Sequence, residues 1–207
     1  MPAFGDALVE ALGGPVGIVA VGQGATSVRE WLPKGEKVNK LTTTGAGLRQ
    51  VAPGQWETTG ELFDRLAQRL EALGPRGFRA ILWHQGESDA GQARSGYPLE
   101  RQISGEDYFR YMEILIRASR VRAGWRVPWF TAQVSYHSET DPSDDEFRAA
   151  QKRVWDAGLA FPGPDTDALR AEWRAGVHFN AKGLQKHGQL WAEKVTPWLK
   201  DRANELP

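Results

Sequence analysis

The 207-residue chain contains no cysteine. That excludes disulfides and thiolate metal ligands and leaves the redox environment open. Net charge is missing as well, because 26 Lys and Arg face 26 Asp and Glu. A balanced chain has no general attraction for nucleic acid or an anionic membrane, so neither is expected as a partner. No apolar run approaches the ~20 residues of a membrane span. The opening stretch "MPAFGDALVEALGG" has no basic start and no continuous apolar block, so no signal peptide is read there. Histidines number only four, with no H-x-H or H-x-x-x-H spacing. His84, His137 and His178 at element ends make a poor metal trio, and no metal or cofactor is expected.

What is present suits one domain over residues 1–207. Hydrophobic residues make up 41% and charged residues 25%, as in ordinary globular proteins. The nine tryptophans are read as core before they are read as a sugar-binding cleft. Phe4, Leu8 and Leu12 recur at helical spacing before Gly13-Gly14. Residues 15–21, "PVGIVAV", read as a buried strand, and residues 32–55 as a long loop. Thr58 and Thr59 are candidate caps for a helix through Leu73. "FRAILWHQ" and "VPWFTAQVS" read as strands, and Glu106 to Ala123 as a helix. A helix from about Pro142 to Ala157, a loop over "FPGPDTDALRAEW" and a helix from Asn180 to Leu199 complete the order. Alternating helices and strands predict an α/β fold, a parallel sheet covered on both faces. Ligands bind such sheets beyond the carboxyl ends of the strands. That rim would gather "GQGATS", "HQGESDA" and "SYHSE", with "RAGVHFN" in reach.

In "HQGESDA", Gly86-Glu87-Ser88-Asp89-Ala90 approximates a G-x-S-x-G nucleophile elbow, but "GQARSGYP" is a poor helix to follow it. The other readings are a site wall, with Gln85 or Glu87 aimed inward and Ser88 and Asp89 holding the turn, or a polar turn alone. Glu87 and Asp89 as a glycosidase pair stand too close in sequence to assign a separation. Gly22 and Gly24 let a backbone N–H approach a ligand oxygen. His178, just before the candidate cap Asn180, is a candidate general base. His187 is expected on the surface of the last helix.

"VGQGATSVREWLP", "WHQGESDA" and "GVHFNAKGLQKHGQLWAEKV", in this order, resemble the SGNH hydrolase superfamily. The similar branch is the sialate O-acetylesterase-like group, carbohydrate esterase family six. The resemblance implies a flavodoxin-like three-layer α/β/α sandwich and removal of O-acetyl groups from sugars through a serine. It implies an oxyanion hole at Gly24 and Gln85 and His178 as the base; Glu87 and Ser88 are expected, from the turn itself, as wall support. The partner implied is a small sugar or polysaccharide bearing acetyl esters. Two departures accompany it. The family's nucleophile, in a "GQSN"-like turn after the first strand, has no counterpart here, and the acid three residues before the histidine is Ala175. An N-terminally truncated member lacking its first strand is therefore expected, with impaired hydrolysis. Asp165, Asp167 or Glu172 are candidate substitute acids, and strand complementation by a partner is a further possibility. The alternative is a non-catalytic or vestigial carbohydrate-binding protein.

Overall fold

The computed structural model describes residues 2–38, 47–94 and 96–202. Helix α1 (Pro2–Leu12) buries Phe4 and Leu8, leaves Leu12 partly in solvent and stops at Gly13, whose φ is 70°. A 3₁₀ turn at Val28–Trp31 is closed by a capping box: the Ser27 side chain accepts from the Arg29 backbone N–H, and Glu30 accepts from the Ser27 N–H. Strands β1 (Lys37–Val38), β2 (Leu48–Ala52) and β3 (Gln55–Thr58) form a small antiparallel sheet in the order β1-β3-β2. They occupy half of the described part of the expected 32–55 loop. The Pro53-Gly54 turn between two strand-like runs was the readable signal for the β2–β3 hairpin.

Next come α2 (Glu61–Leu73), β4 (Ile81–Trp83), α3 (Glu87–Gln92), α4 (Gly105–Ala123), β5 (Trp129–Gln133) and α5 (Asp145–Asp156). After them follow β6 (Phe161–Asp165), β7 (Arg174–Ala175), β8 (His178–Phe179) and α6 (Ala181–Asp201). Gly60 stands at the cap of α2, whereas Thr58 lies in β3 with its hydroxyl on the Pro33 carbonyl. Helix α5 begins after Asp144, which accepts from the Phe147 N–H, so Pro142 lies outside it. Asn180 caps α6 by accepting from the Gly183 N–H. No helix among the described residues is long and apolar enough to cross a membrane.

Strands β4, β5 and β6 are parallel and adjacent in that order. Side-chain alternation separates two cores. Ile81, Trp83 and Trp129 face Leu66, Tyr108, Leu115 and Phe147 of α2, α4 and α5. Leu82, Phe130, Ala132 and Val134 face Phe4, Leu8, Trp191 and Val195 of α1 and α6. The protein is thus the three-layer α/β/α sandwich that the sequence implied.

Two expectations for this sheet fail. "FPGPD", read as loop, is strand β6, and its two prolines are tolerated because an edge strand need not donate on its outer side. Gly163 is needed there, because a side chain would strike the Thr131 backbone. Residues 15–21, read as a buried strand, join no ladder and make no backbone hydrogen bond among the described residues. Their side chains still divide between the layers. Val16 packs with the α1–α6 core and Ile18 approaches Gly5, while Val21 packs with the other core. Ile18 is 41% and Val19 51% exposed. Among the described residues β4 pairs only with β5.

Candidate active site

The polar cluster at 84–89 sits where β4 ends and α3 begins. Gly86 makes the corner with φ 159°, and a Cβ there would strike the Val134 carbonyl and the Gln151 amide. A helix does follow this corner, contrary to expectation. Ser88, half-buried, is its second residue and not the corner residue that an elbow requires.

On one flank the corner is tied to the turn bearing Gly24. Asp89, fully buried, accepts from the Ser27 hydroxyl at 2.5 Å, the Val28 N–H at 2.9 Å and the Gln85 amide at 2.7 Å. The second amide proton of Gln85 goes to the Thr26 carbonyl at 3.1 Å, and its Oε1 is buried without a partner. The reverse amide orientation would crowd three acceptors together. Buried Arg29 donates to the Ser27 hydroxyl at 3.0 Å. Burial pushes the Asp89 carboxyl up, opposed by Arg29, Ser27, Val28 and Gln85, and burial lowers Arg29. Gly24 is exposed, with open space around it. Ala25, at the second glycine of the family's "GGTS", holds φ 58°, a conformation that glycine adopts without strain.

On the other flank stands the β7–β8 hairpin. Its two-residue loop, Gly176-Val177, turns on Gly176 at φ 64°. Arg174 anchors it by donating to the carbonyls of Leu169, Val177 and Thr166, its guanidinium lying 3.8 Å from the Tyr136 ring centre and 4.2 Å from that of Phe179. Phe179 packs on His84 with ring centres 6.2 Å apart, and His187 lies 4.8 Å from His84. His187 is therefore half-buried rather than open to solvent: its ring is wedged among His84, Phe179 and Trp191. Burial lowers His84 to about 4, while burial and the facing His84 lower His187 to about 3. His84 Nε2 donates to Thr166 Oγ1 at 2.9 Å, since that hydroxyl gives its own proton to the Gln133 carbonyl. Glu87 stands 3.8 Å from His84 Nδ1, too far for a hydrogen bond, and burial raises its carboxyl.

His178 is exposed, and no hydrogen bond joins its ring to another described residue. Its cross-strand partner is Ala175. A carboxylate at 175 would thus stand directly beside the imidazole. The candidate substitutes are engaged elsewhere. Asp167 accepts from Ser135, Tyr136 and Arg148, Asp165 pairs with Arg148, and Glu172 pairs with Lys182. Of the rim serines, Ser27 and Ser135 are buried and donate to Asp89 and Asp167. No cluster among the described residues has the ligands for a metal ion.

The three expected segments therefore meet at the carboxyl end of β4: Gln85 bonds the turn of Gly24, and His84 packs on the hairpin of His178. A cavity of about 630 Å³ at the opposite end of the sheet, between Arg126, Trp155, Phe161 and Trp198, includes none of them. Sequence reasoning missed the Asp89 network, the His84–His187 contact and the Arg174 anchor. Only the capping box S-x-x-E at 27–30 left a local signal.

No curated protein and no solved structure matches the chain. Residues 1–197 match the family described as carbohydrate esterase, sialic acid-specific acetylesterase. With nearly its whole length matched and the corresponding turns assembled at one rim, the chain belongs to this family of carbohydrate esterases.

Proposed function

We propose that the rim binds an O-acetylated sugar of the sialic acid class and polarises its ester carbonyl, with slow hydrolysis by this chain alone. Family membership supports the substrate class. The observation that carries the chemistry is the junction of Gln85 with the Gly24 turn, beside the hairpin of His178. The N–H of the exposed Gly24 is the first oxyanion donor. An oxyanion arriving there competes with the Thr26 carbonyl for a Gln85 amide proton, so the second donor becomes available only as charge develops. Glu87 and Ser88 support the wall. His178 acts as general base toward water: water attacks the carbonyl carbon, its proton passes to the imidazole, and the sugar oxygen regains a proton as acetate leaves. Without an acid beside it, the imidazolium is poorly stabilised, which accounts for slow turnover.

The test is hydrolysis of 4-nitrophenyl acetate and of O-acetylated N-acetylneuraminic acid. Turnover should fall to background in His178→Ala and rise roughly ten- to a hundredfold in Ala175→Asp. Wild-type turnover no faster than that of His178→Ala overturns catalysis. The exposed, unpartnered His178 favours a second reading, a sugar-binding protein without turnover. Saturable binding of the sugar with no hydrolysis in any variant would establish it.

A further inference from the structure

Arg94 presents an unusual arrangement two residues after α3. Its Nη1 pairs with Asp141, while Nε and Nη2 are buried with no hydrogen-bond partner among the described residues. Two buried donors on one cation are costly unless an acceptor arrives. Nε–H and Nη2–H form the side-on fork of a guanidinium, which matches the two oxygens of a carboxylate. Asp141 lies in the turn after β5, where its carbonyl accepts from the N–H groups of His137 and Ser138. This turn holds the guanidinium in place through Asp141, so the fork is oriented before any ligand binds.

The location is as informative as the chemistry. α3 leaves the carboxyl end of β4, and residues 137–141 leave that of the adjacent β5. The fork therefore lies on the same rim as Gln85. A Cβ at Gly91 would stand 3.5 Å from His137 Nδ1, so the end of α3 packs directly on this turn. Helix α3, between Gly86 and Arg94, is about 9 Å long. One acidic sugar can bridge a stretch of that order, with its ester at Gln85 and its carboxylate toward Arg94.

We propose that the Nε–Nη2 edge of Arg94 receives the carboxylate of an acidic nine-carbon sugar bound at this rim. The inference rests on the esterase reading for the placement of the ester, and it deepens that reading by naming the residue that selects the acid. It separates an acidic substrate from a neutral acetylated sugar, which would leave the fork unfilled.

The experiment is calorimetric titration of the whole chain with N-acetylneuraminic acid and, separately, with its methyl ester. The acid should bind about ten- to a hundredfold more tightly than the ester. Arg94→Gln should abolish that preference, and Arg94→Lys, which keeps the charge but not the fork, should retain only part of it. Thermal melts of both variants check that they are folded. Equal binding of acid and ester by the wild type overturns the inference without reference to any variant. So does a preference that survives in both variants, which would mean that water fills the fork. Failure of the acid to bind also overturns it. Hydrolysis of 4-nitrophenyl acetate, which has no carboxylate, judges the esterase reading separately.

Discussion

The two sides of β5 are built to different standards. Toward β6 the sheet is sealed: Phe130, Thr131 and Gln133 pair with β6, and Arg148 closes the exit by bridging Asp165 at 2.7 Å and Asp167 at 2.9 Å. Toward β4 it is open. Ile81 and Leu82 are only partly buried, the outer edge of β4, like that of β6, has no neighbour among the described residues, and the apolar run 15–21 joins no ladder there. Apolar side chains are denser in residues 15–21 than in β6, whose sequence is FPGPD, yet β6 pairs and residues 15–21 do not. The difference shows that apolar content can place side chains, but only a paired backbone makes a strand.

The largest expected contrast is in amide exchange. Residues 16–22 should exchange with opening free energies near zero, whereas β5 should approach the global stability of about 5–15 kcal/mol. Mass spectrometry of peptic fragments reads this directly. Comparable protection in the two regions would erase the comparison.

Substitution sharpens it next. Phe130→Ala removes a ring packed against Phe161 and Trp198 and should cost about 3–5 kcal/mol in urea denaturation. Val19→Ser, at a site half in solvent, should stay within about 0.5 kcal/mol. Similar losses for both would mean that the 15–21 segment is buried in solution.

The smallest effect is that of acid. In the unfolded chain His84 and His187 take up protons near pH 6.5. In the fold they do so only at about 4 and about 3, because burial disfavours the charged imidazoles. Between those values the unfolded state holds more protons, so stability should fall as pH drops from 6.5 toward 4, by about 1–3 kcal/mol. Glu87, whose carboxyl is raised by burial, offsets part of this loss. On the sealed side burial works to raise Asp165, but Arg148 outweighs it and holds the carboxyl below its usual range. Acid should therefore loosen the β4 exit before the β6 exit. Exchange measured at pH 7 and 4.5 checks the order, and a flat profile would show that the two imidazoles are hydrated.

Legibility followed the range of the interaction. Helix α4 was readable because Tyr108, Met112, Leu115 and Ile116 recur on one face, and all four are buried. Asn180 was readable as a cap because its bond to Gly183 spans three residues. The strand in "FPGPD" was hidden by prolines that matter less at an edge, and no local pattern announces an edge. At the site, Gly24, Gln85 and His178 could be named from motifs. The partners of Asp89 could not, because Ser27 stands 62 residues away. Nor could the burial of His187, which depends on β4 and β8 meeting α6.

By itself the sequence determined the long helices, the layered fold and the family, since periodicity, caps and motif residues act over a few positions. Only the tertiary structure decided which apolar run became a strand and which carboxylates were already taken. It also left two Arg94 donors buried without an acceptor. Hydrogen-bond partners in a sheet and at its rim come from distant parts of the chain, and a residue's own neighbours carry no record of them.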